Sequence, residues 1–480
     1  MSLPTVADLV IDGLRRAGTR RVFACAPAPA DLPLLDAARA GGLAVTVASH
    51  ESGACIMAAV TGDLVDAPSA VLIGEDVAAS VPAPGVTDAP LIVLAGGRAS
   101  APAGCKETLR VDATSAAHRI AHAVRLAMTE PRGPVQLELA EGVARAAAVP
   151  VATSCRPDPL PYPDAAALDQ AGRVLAEASR PLLLAGIHCR SAEAAQWLRA
   201  FVEALPAPLL ATARAKGALP DPHPLMLSVL GVGGVEERLV SRADLVVAMG
   251  LGAGEAASLP AACWAGAPVL VLGPAAIPGG RVPAARVVGD VGAIIEELAT
   301  RLRDMPRADW DVAEVDRLRR EAAARGAGDG LVAGVVRLAR EATPAGTIAA
   351  VDAGGYRDRV VTAWHATAPR EFLVPDGDAP GFALPAAIAA HLAHPDRRVV
   401  CFTGPDELSA TAAELETAAR LAAPVVIVVF EVDETRAFTS ARHGERAGLA
   451  VSTADGEMKF AQAFSRALAA TGAAMIVVRP

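Results

Sequence analysis

The residues of this chain that are best suited to do chemistry include a carboxylate at the predicted start of a helix. Glu51 stands in the segment His50-Glu51-Ser52-Gly53-Ala54. In an apolar cleft the pKa of such a carboxylate is raised by desolvation, so that it can act as a general acid or base. The alternative is structural, because the helix dipole favours an acidic residue in the first turn. The residues around Glu51 leave both interpretations open.

The elements that must position Glu51 follow one repeating pattern. Short Val, Ile and Leu runs that end in Gly or Pro alternate with Ala-rich helical stretches, which predicts parallel sheets covered by helices on both faces. The fold class is therefore α/β, with three doubly wound parallel-sheet domains. We place these domains at residues 1–150, 165–310 and 330–480. The proline-rich segment near residues 157–163 reads as an extended connector between the first two.

Composition excludes several classes of protein. The chain has 480 residues, of which 52% are hydrophobic, 20% are charged and 3% are aromatic, which predicts a globular protein. The net charge of −9 and the few aromatic side chains argue against a nucleic-acid partner. The seven scattered cysteines suit a reducing compartment, and neither a signal peptide nor a membrane-spanning apolar run is evident. We therefore expect a cytoplasmic protein with no membrane partner.

Several motifs occur along the chain in a fixed order. They are RRVFACAPAPADLPLLDA, the segment HESGA that contains Glu51, MTEPRGPVQLELA, KGALPDPHP and GFALPAAI, followed by the strand-turn-helix-strand segment VCFTGPDELSATAAELETAARLAAPVVIVVFEVD at residues 400–433. Together they resemble the thiamine-diphosphate (ThDP)-dependent decarboxylase/carboligase superfamily, which includes acetolactate synthase and benzoylformate decarboxylase. The resemblance implies a pyrimidine-type, a central and a pyrophosphate-type domain.

The resemblance also implies an activity and a cofactor site. The expected activity is decarboxylation of a 2-oxo acid, with release or transfer of the acyl group, by an enzyme that binds ThDP and Mg²⁺. Glu51 would contact the aminopyrimidine ring of ThDP, and the backbone near Gly354, Gly381 and Gly404 would hold the cofactor. The active unit would be a homodimer or homotetramer, with each cofactor between the first domain of one subunit and the third domain of another.

The metal ligands that the resemblance implies are altered in this sequence. The family's ligand Asp is Pro405, which offers no side-chain oxygen, and its ligand Asn is Val432. A shift of the register by one residue would instead supply Asp406 and Asp433 as Mg²⁺ ligands, with Thr435 where a backbone carbonyl would bind. The alternative for Asp406 is that it caps the helix that follows.

Two further interpretations follow from these departures. The alternative function is that of a homologue that has lost ThDP and acts as a structural or regulatory partner, or that binds another small molecule in the inter-domain cleft. In the central domain Gly186, Gly250 and Gly252 follow strands without forming GxGxxG, so we expect a structural role for them and no FAD.

Overall fold

The structure, a computed structural model, consists of helices that alternate with strands. It describes residues 3–25, 31–74, 88–96, 101, 104–157, 160, 162–264, 266–274, 281–302, 308–328, 330–375, 377–431 and 440–479. Within these ranges the strands form three six-stranded sheets, and the strand pairings are parallel. The predicted α/β fold with three parallel sheets is confirmed. The chain divides into two compact units, residues 1–159 with 350–354 and 374–480, and residues 160–349 with 355–373.

The first sheet belongs to the first unit and has the strand order β2-β1-β3-β4-β6-β5. Its strands are β1 (Arg21–Cys25), β2 (Ala44–Ala48), β3 (Ser69–Ile73), β4 (Leu91–Gly96), β5 (Glu107–Val111) and β6 (Val135–Leu139), and its helices are α1 (Val6–Arg16), α2 (Leu32–Ala40), α3 (Glu51–Val65) and α4 (Ala116–Met128). α1 begins with a capping box, in which Thr5 accepts from the Asp8 N–H and the Asp8 carboxylate accepts from the Thr5 N–H.

The second sheet belongs to the second unit and has the order β12-β11-β10-β7-β8-β9. Its strands are β7 (Pro181–Ala185), β8 (Leu209–Ala211), β9 (Met226–Val229), β10 (Leu245–Met249), β11 (Val269–Leu272) and β12 (Ala285–Val287). The helices around it are α5 (Ala165–Glu177), α6 (Ala192–Ala204), α7 (Glu236–Val240), α8 (Ala253–Ser258), α9 (Val291–Arg301), α10 (Val312–Ala327) and α11 (Leu331–Glu341).

The third sheet has the order β14-β13-β15-β16-β18-β17. Its strands are β13 (Ile348–Val351), β14 (Phe372–Leu373), β15 (Val399–Thr403), β16 (Val425–Phe430), β17 (Ala450–Asp455) and β18 (Ala474–Arg479). The helices that follow its strands are α12 (Arg357–Ala363), α13 (Ala383–Ala393), α14 (Pro405–Ala410), α15 (Glu414–Arg420), α16 (Ser440–Arg446) and α17 (Glu457–Ala469).

One helix was expected between β15 and β16, and the structure has two short ones, α14 and α15. Side-chain hydroxyls explain the break. Ser409 Oγ donates to the carbonyl of Pro405 at 2.7 Å, and Thr411 Oγ1 lies 3.5 Å from the carbonyl of Glu407. Such hydroxyls compete with the backbone ladder of the helix. The predicted single helix is therefore wrong in this detail.

Continuous apolar runs account for the strands. β16 reads VVIVVF and is buried along its whole length, as is expected of a central parallel strand covered on both faces. α3 and α13 are also buried on nearly every side, and they pack against each other within the first unit. Their many alanines let the two backbones approach closely. None of the helices within the described ranges has both the length and the hydropathy that a membrane span requires.

Candidate functional site

In open parallel sheets, ligands bind at the carboxyl ends of the strands, where the strand order reverses direction. The orders of the three sheets place these reversal points between β1 and β3, between β7 and β10, and between β13 and β15. One carboxylate side chain lies at each of these three reversal points. They are Glu51 in the first sheet, Glu255 in the second and Asp352 in the third. Comparing their hydrogen-bond partners separates structural carboxylates from a candidate functional one.

Glu51 is the first residue of α3, directly after the N-cap His50. The His50 side chain accepts a hydrogen bond from the N–H of Ser52 at 3.2 Å and so fixes the helix start. Glu51 Oε1 accepts one long hydrogen bond, 3.4 Å, from the N–H of Gly74, which follows β3. The second oxygen, Oε2, is buried and accepts a hydrogen bond from none of the residues that the structure describes.

The electrostatics of Glu51 suit proton exchange. Burial raises the pKa of its carboxyl above the ordinary range, an effect that the Gly74 N–H and His50 partly oppose. The negative charge of Glu51 also affects the thiol of Cys25, the last residue of β1. Burial, together with the negative charges of Glu51 and Glu414, raises the pKa of the Cys25 thiol to about 11. Glu51 thus lies beside the ends of β1 and β3 as a carboxylate with one unused oxygen.

Asp352, which follows β13, has the opposite character. It is fully buried, and its Oδ1 accepts hydrogen bonds from the N–H groups of Gly381 (3.0 Å), Phe382 (2.6 Å) and Ala383 (3.1 Å) at the start of α13. Its Oδ2 accepts from Thr403 Oγ1 at 2.8 Å. Burial raises the pKa of Asp352 to about 6. Its oxygens are fully used in capping α13 and in joining β13 to β15.

Both carboxylate oxygens of Glu255 likewise accept hydrogen bonds from the protein. Its Oε2 accepts from the N–H groups of Ile187 and Gly252, both at 2.9 Å, and its Oε1 accepts from Thr212 Oγ1. A Cβ on Gly186 would lie 2.8 Å from Glu255 Oε2 and closer still to the backbone near residue 250. Close packing of these loops therefore requires glycine at position 186, which agrees with the structural role expected for it.

A second carboxylate holds the backbone that leads into Glu51. Glu414, on α15, is fully buried and accepts hydrogen bonds from the N–H groups of His50 (2.8 Å) and Ser49 (3.3 Å). Thr417, one turn later, makes a hydroxyl hydrogen bond of 2.9 Å with Ser49. Arg420 donates to the carbonyl of Val47 from the same helix. These contacts fix the segment between β2 and α3, which precedes Glu51.

The packing around Glu414 is tight. A Cβ added to Gly53 would lie 2.2 Å from Glu414 Oε1 and 2.6 Å from its Cδ. Glycine at position 53 is therefore required by the approach of Glu414 to α3. Burial raises the pKa of Glu414, while Thr417 and the two backbone N–H groups oppose the rise. Sequence reasoning missed Glu414, because its partners lie 364 and 365 residues away along the chain.

The turn after β15 differs from what was predicted. Gly404 is the N-cap of α14 and Pro405 occupies the first helical position, which suits proline because that N–H is not needed. Asp406 therefore lies in the first turn, exposed, and the prediction that it caps the helix is wrong. Because Pro405 has no N–H and the next residues are acidic, this short helix start offers little to an anion.

The backbone contacts to a cofactor that were expected near Gly381 and Gly354 remain predictions. The N–H of Gly381 is taken by Asp352, and its φ of +90° together with a close approach to Thr411 explains why glycine is needed there. Gly354 follows β13 and is half-buried, and its cofactor contact remains a prediction. Asp433 and Thr435, the other predicted metal ligands, lie outside the described residues.

Glu431 stands at the end of β16, where the family places the first Asn of a pair. It is buried, and its Oε2 accepts hydrogen bonds from Nε and Nη2 of Arg479 at 3.2 and 3.1 Å. Its Oε1 accepts from the N–H of Ser440, the first residue of α16. Glu431 therefore joins β16 to β18 and α16. Within the described ranges, no cluster of His, Cys, Asp or Glu is arranged to hold a metal ion.

Taken together, the residues present fit one end of ThDP. The buried, unpartnered Oε2 of Glu51 is a hydrogen-bond acceptor suited to an aminopyrimidine ring. The described residues after β13 and β15 do not fit a diphosphate in the same way, since Asp352 already uses the N–H groups at the start of α13. In the sequence, the position of Asp352 directly after a buried strand is the feature that could have indicated its place at this edge of the sheet.

Comparisons with known proteins identify the family that this chain resembles along most of its length. Family models described as the N-terminal TPP binding domain, the central domain and the C-terminal TPP binding domain of thiamine pyrophosphate enzymes match residues 4–120, 168–298 and 352–479. The chain is 26% identical over 458 residues to the large subunit of acetolactate synthase isozyme 2 from Escherichia coli K12, covering 88% of this chain and 82% of that protein. It is 25% identical over 465 residues to the catabolic acetolactate synthase of Raoultella terrigena, with the same two coverages.

Solved structures resemble the whole chain. A putative thiamin diphosphate-dependent enzyme from Mycobacterium smegmatis has a TM-score of 0.82 and 22% identity, covering 100% of this chain and 99% of that one. Benzoylformate decarboxylase from Polynucleobacter necessarius also has a TM-score of 0.82, with 18% identity and coverages of 100% and 98%. At these identities the likeness establishes the fold.

Proposed function

Because this chain belongs to the superfamily of thiamine-diphosphate-dependent enzymes, we propose that it binds ThDP and decarboxylates a 2-oxo acid, with release or transfer of the acyl group. The observation that supports this is the unpartnered, buried Oε2 of Glu51 at the reversal point of the first sheet. The two other reversal-point carboxylates have their hydrogen bonds filled by the protein. Among the three, Glu51 is the one with an oxygen that has no hydrogen-bond partner among the residues that the structure describes.

Each residue around Glu51 has a part in this proposal. ThDP, when bound, supplies a nucleophilic carbon and stabilises the negative charge that decarboxylation leaves behind. Glu51 Oε2 would hold the aminopyrimidine ring and share a proton with it, because burial raises the pKa of this carboxyl. Glu414 and Thr417 keep the backbone before Glu51 in place. The proposal includes a cytoplasmic homodimer or homotetramer.

The proposed Mg²⁺ site is supported by fewer observations than the proposed contact between Glu51 and ThDP. The ligands proposed from the shifted register are Asp406, Asp433 and Thr435, of which only Asp406 lies within the described residues, exposed on α14. Pro405 offers no side-chain oxygen to a metal ion, and the carboxylate of Glu431 is already hydrogen-bonded to Arg479. These two observations favour a second candidate function. This is a homologue that does not use ThDP and acts as a structural or regulatory partner, or that binds another small molecule.

Calorimetry distinguishes the two candidates. ThDP is titrated into the protein with Mg²⁺ and, separately, with EDTA, and the titrations are repeated with Glu51→Gln. The matched control is Glu457→Gln, an exposed acidic residue in the first turn of α17. We expect a Kd at least about tenfold higher for Glu51→Gln, which is roughly 1.4 kcal/mol, and an unchanged Kd for the control.

The outcomes have distinct meanings. Absence of ThDP binding to the unmodified protein in the presence of Mg²⁺ would contradict the enzyme proposal and support the second candidate. Equal ThDP affinity with Mg²⁺ and with EDTA would contradict the shifted-register metal site alone. Release of CO₂ from pyruvate or benzoylformate by the ThDP-loaded protein, lost in Glu51→Gln, would support the proposed reaction class.

A further inference from the structure

The KGALPDPHP motif has no part in the proposed activity, yet its residues form one side of a cavity. The cavity lies within the second unit, has a volume of about 400 Å³ and is bounded by α10, α12, β9 and the loop after β8. This volume is in the range of small-molecule pockets. Its apolar lining includes Met226, Leu227, Val229 and Val361. The cavity is therefore roomy enough for a ligand with an apolar body.

The wall formed by the motif is rigid. Lys216 is only 3% exposed, and its Nζ lies 2.5 Å from Asp221 Oδ2 and 5.5 Å from the centre of the Phe372 ring. Asp221 Oδ2 also accepts from the N–H of Ala366 at 2.7 Å. Gly217, with φ of +86°, lets the loop approach a backbone carbonyl so closely that a Cβ would lie 2.2 Å from its oxygen. These contacts hold the Lys216 side chain in place.

The charges that line the cavity do not cancel. Lys216 is paired with Asp221, and Arg320 is paired with Asp316 at 3.1 Å. Arg319 forms no ion pair within the described ranges, and its Nη2 donates two long hydrogen bonds to the carbonyls of Asp221 and Pro222, at 3.5 and 3.4 Å. Its remaining N–H groups are the donors that bind a carboxylate in a bidentate manner. One uncompensated positive charge therefore lines a cavity whose wall is partly apolar and partly polar, the polar part including Ser228, Thr362 and His365.

From this arrangement we propose that the cavity binds a small monocarboxylate with an apolar body, held by Arg319 and seated against Met226 and Val361. One negative charge matches Arg319, the cation without an ion pair among the described residues that line the cavity, and the apolar part of the lining disfavours a strongly hydrated dianion such as inorganic phosphate. The site is separate from Glu51 and does not depend on ThDP binding. It adds a ligand site in the second unit to the proposed function.

The test uses the full-length protein without ThDP or Mg²⁺. Benzoate is the probe, and benzamide, its neutral counterpart of the same shape, is titrated in parallel by calorimetry. Arg319→Gln removes the unpaired charge, while Ala323→Phe fills the cavity from the same helix. The matched control is Arg317→Gln on α10, whose side chain is 67% exposed and pairs with Glu314 outside the cavity.

We expect benzoate to bind the unmodified protein and the Arg317→Gln control equally, and at least about tenfold more weakly in Arg319→Gln and in Ala323→Phe. Benzamide should also bind at least about tenfold more weakly than benzoate. Melting curves verify that each variant is folded. The proposal is overturned if benzoate does not bind, if benzamide binds as tightly, or if Arg319→Gln leaves the affinity unchanged. None of these results bears on ThDP binding.

Discussion

Replacing the reversal-point carboxylates of the first unit tests whether Glu51 is functional or structural. Asp352→Ala removes the acceptor of three backbone N–H groups and of the Thr403 hydroxyl, all buried. Each buried donor left without a partner costs about 1–3 kcal/mol. At pH 5 the unfolded carboxyl, with a pKa of about 3.9, is already ionised while Asp352 with its pKa of about 6 is protonated, so the substitution relieves roughly 1.5 kcal/mol and offsets part of this loss. We therefore expect a cost of at least about 3 kcal/mol.

Glu51→Ala should behave differently under the same conditions. It removes one hydrogen bond, of 3.4 Å, from the N–H of Gly74. It also removes a carboxylate from the first turn of α3, whose interaction with the helix dipole stabilises the fold by about 0.3–1 kcal/mol. Relief of the desolvation that raises its pKa acts in the opposite direction. The net change should stay within about 1 kcal/mol of zero. A small effect on stability, with a large effect on ligand binding, is the behaviour of a residue that is kept for function.

Urea unfolding followed by circular dichroism measures both changes. Because Glu51 and Asp352 belong to the same compact unit, their variants are compared in the same transition, provided that the slope with denaturant is unchanged. Glu457→Ala, at an exposed first-turn position, is the control. If Glu51→Ala costs as much as Asp352→Ala, Glu51 is a structural carboxylate and the basis of the proposed function is lost.

Other predictions concern pH and packing. The Asp352 pKa of about 6 exceeds the unfolded value of about 3.9, so its contribution to stability is present below about pH 4 and lost as pH rises through 6. Asp352→Asn should remove this loss of roughly 3 kcal/mol in a pH series of urea titrations. Gly53→Ala should cost about 1–3 kcal/mol against Glu414, whereas Gly172→Ala, with 3.9 Å of space, should stabilise by up to about 1 kcal/mol. Gly217→Ala should cost about 3 kcal/mol or more in the same assay, because it combines positive φ with a 2.2 Å contact. A Gly53→Ala variant that is as stable as the unmodified protein in the unfolding transition of the first unit would contradict the packing interpretation.

The fold was predictable because its signal is local. A central parallel strand is buried on both faces, so β16 reads as an unbroken apolar run, and such runs alternate with helical stretches throughout the chain. Reversal of the strand order could not be read in the same way. It depends on which strands pair, and pairs such as β1 with β3 join residues that lie far apart in sequence.

Contacts at the candidate site could not be predicted where long-range partners decide them. Glu431 is bound by Arg479, 48 residues later, and no neighbouring residue indicates that partner. For Asp406, the alternative that it caps the helix is wrong, because proline at the preceding position moves the cap to Gly404. That alternative could have been rejected from the local sequence, since proline favours the first helical position and leaves the cap to the residue before it.

The contacts that place Glu51 do not pass through the altered turn after β15. Glu414 and Thr417 lie on α15, beyond the break that ends α14, and they bind the backbone before α3 directly. A change at Pro405 therefore leaves the support of Glu51 intact, so the segment before α3 and the turn after β15 can diverge independently in this fold. This separation explains how one chain combines a Glu51 Oε2 without a partner among the described residues with a proline at the start of α14.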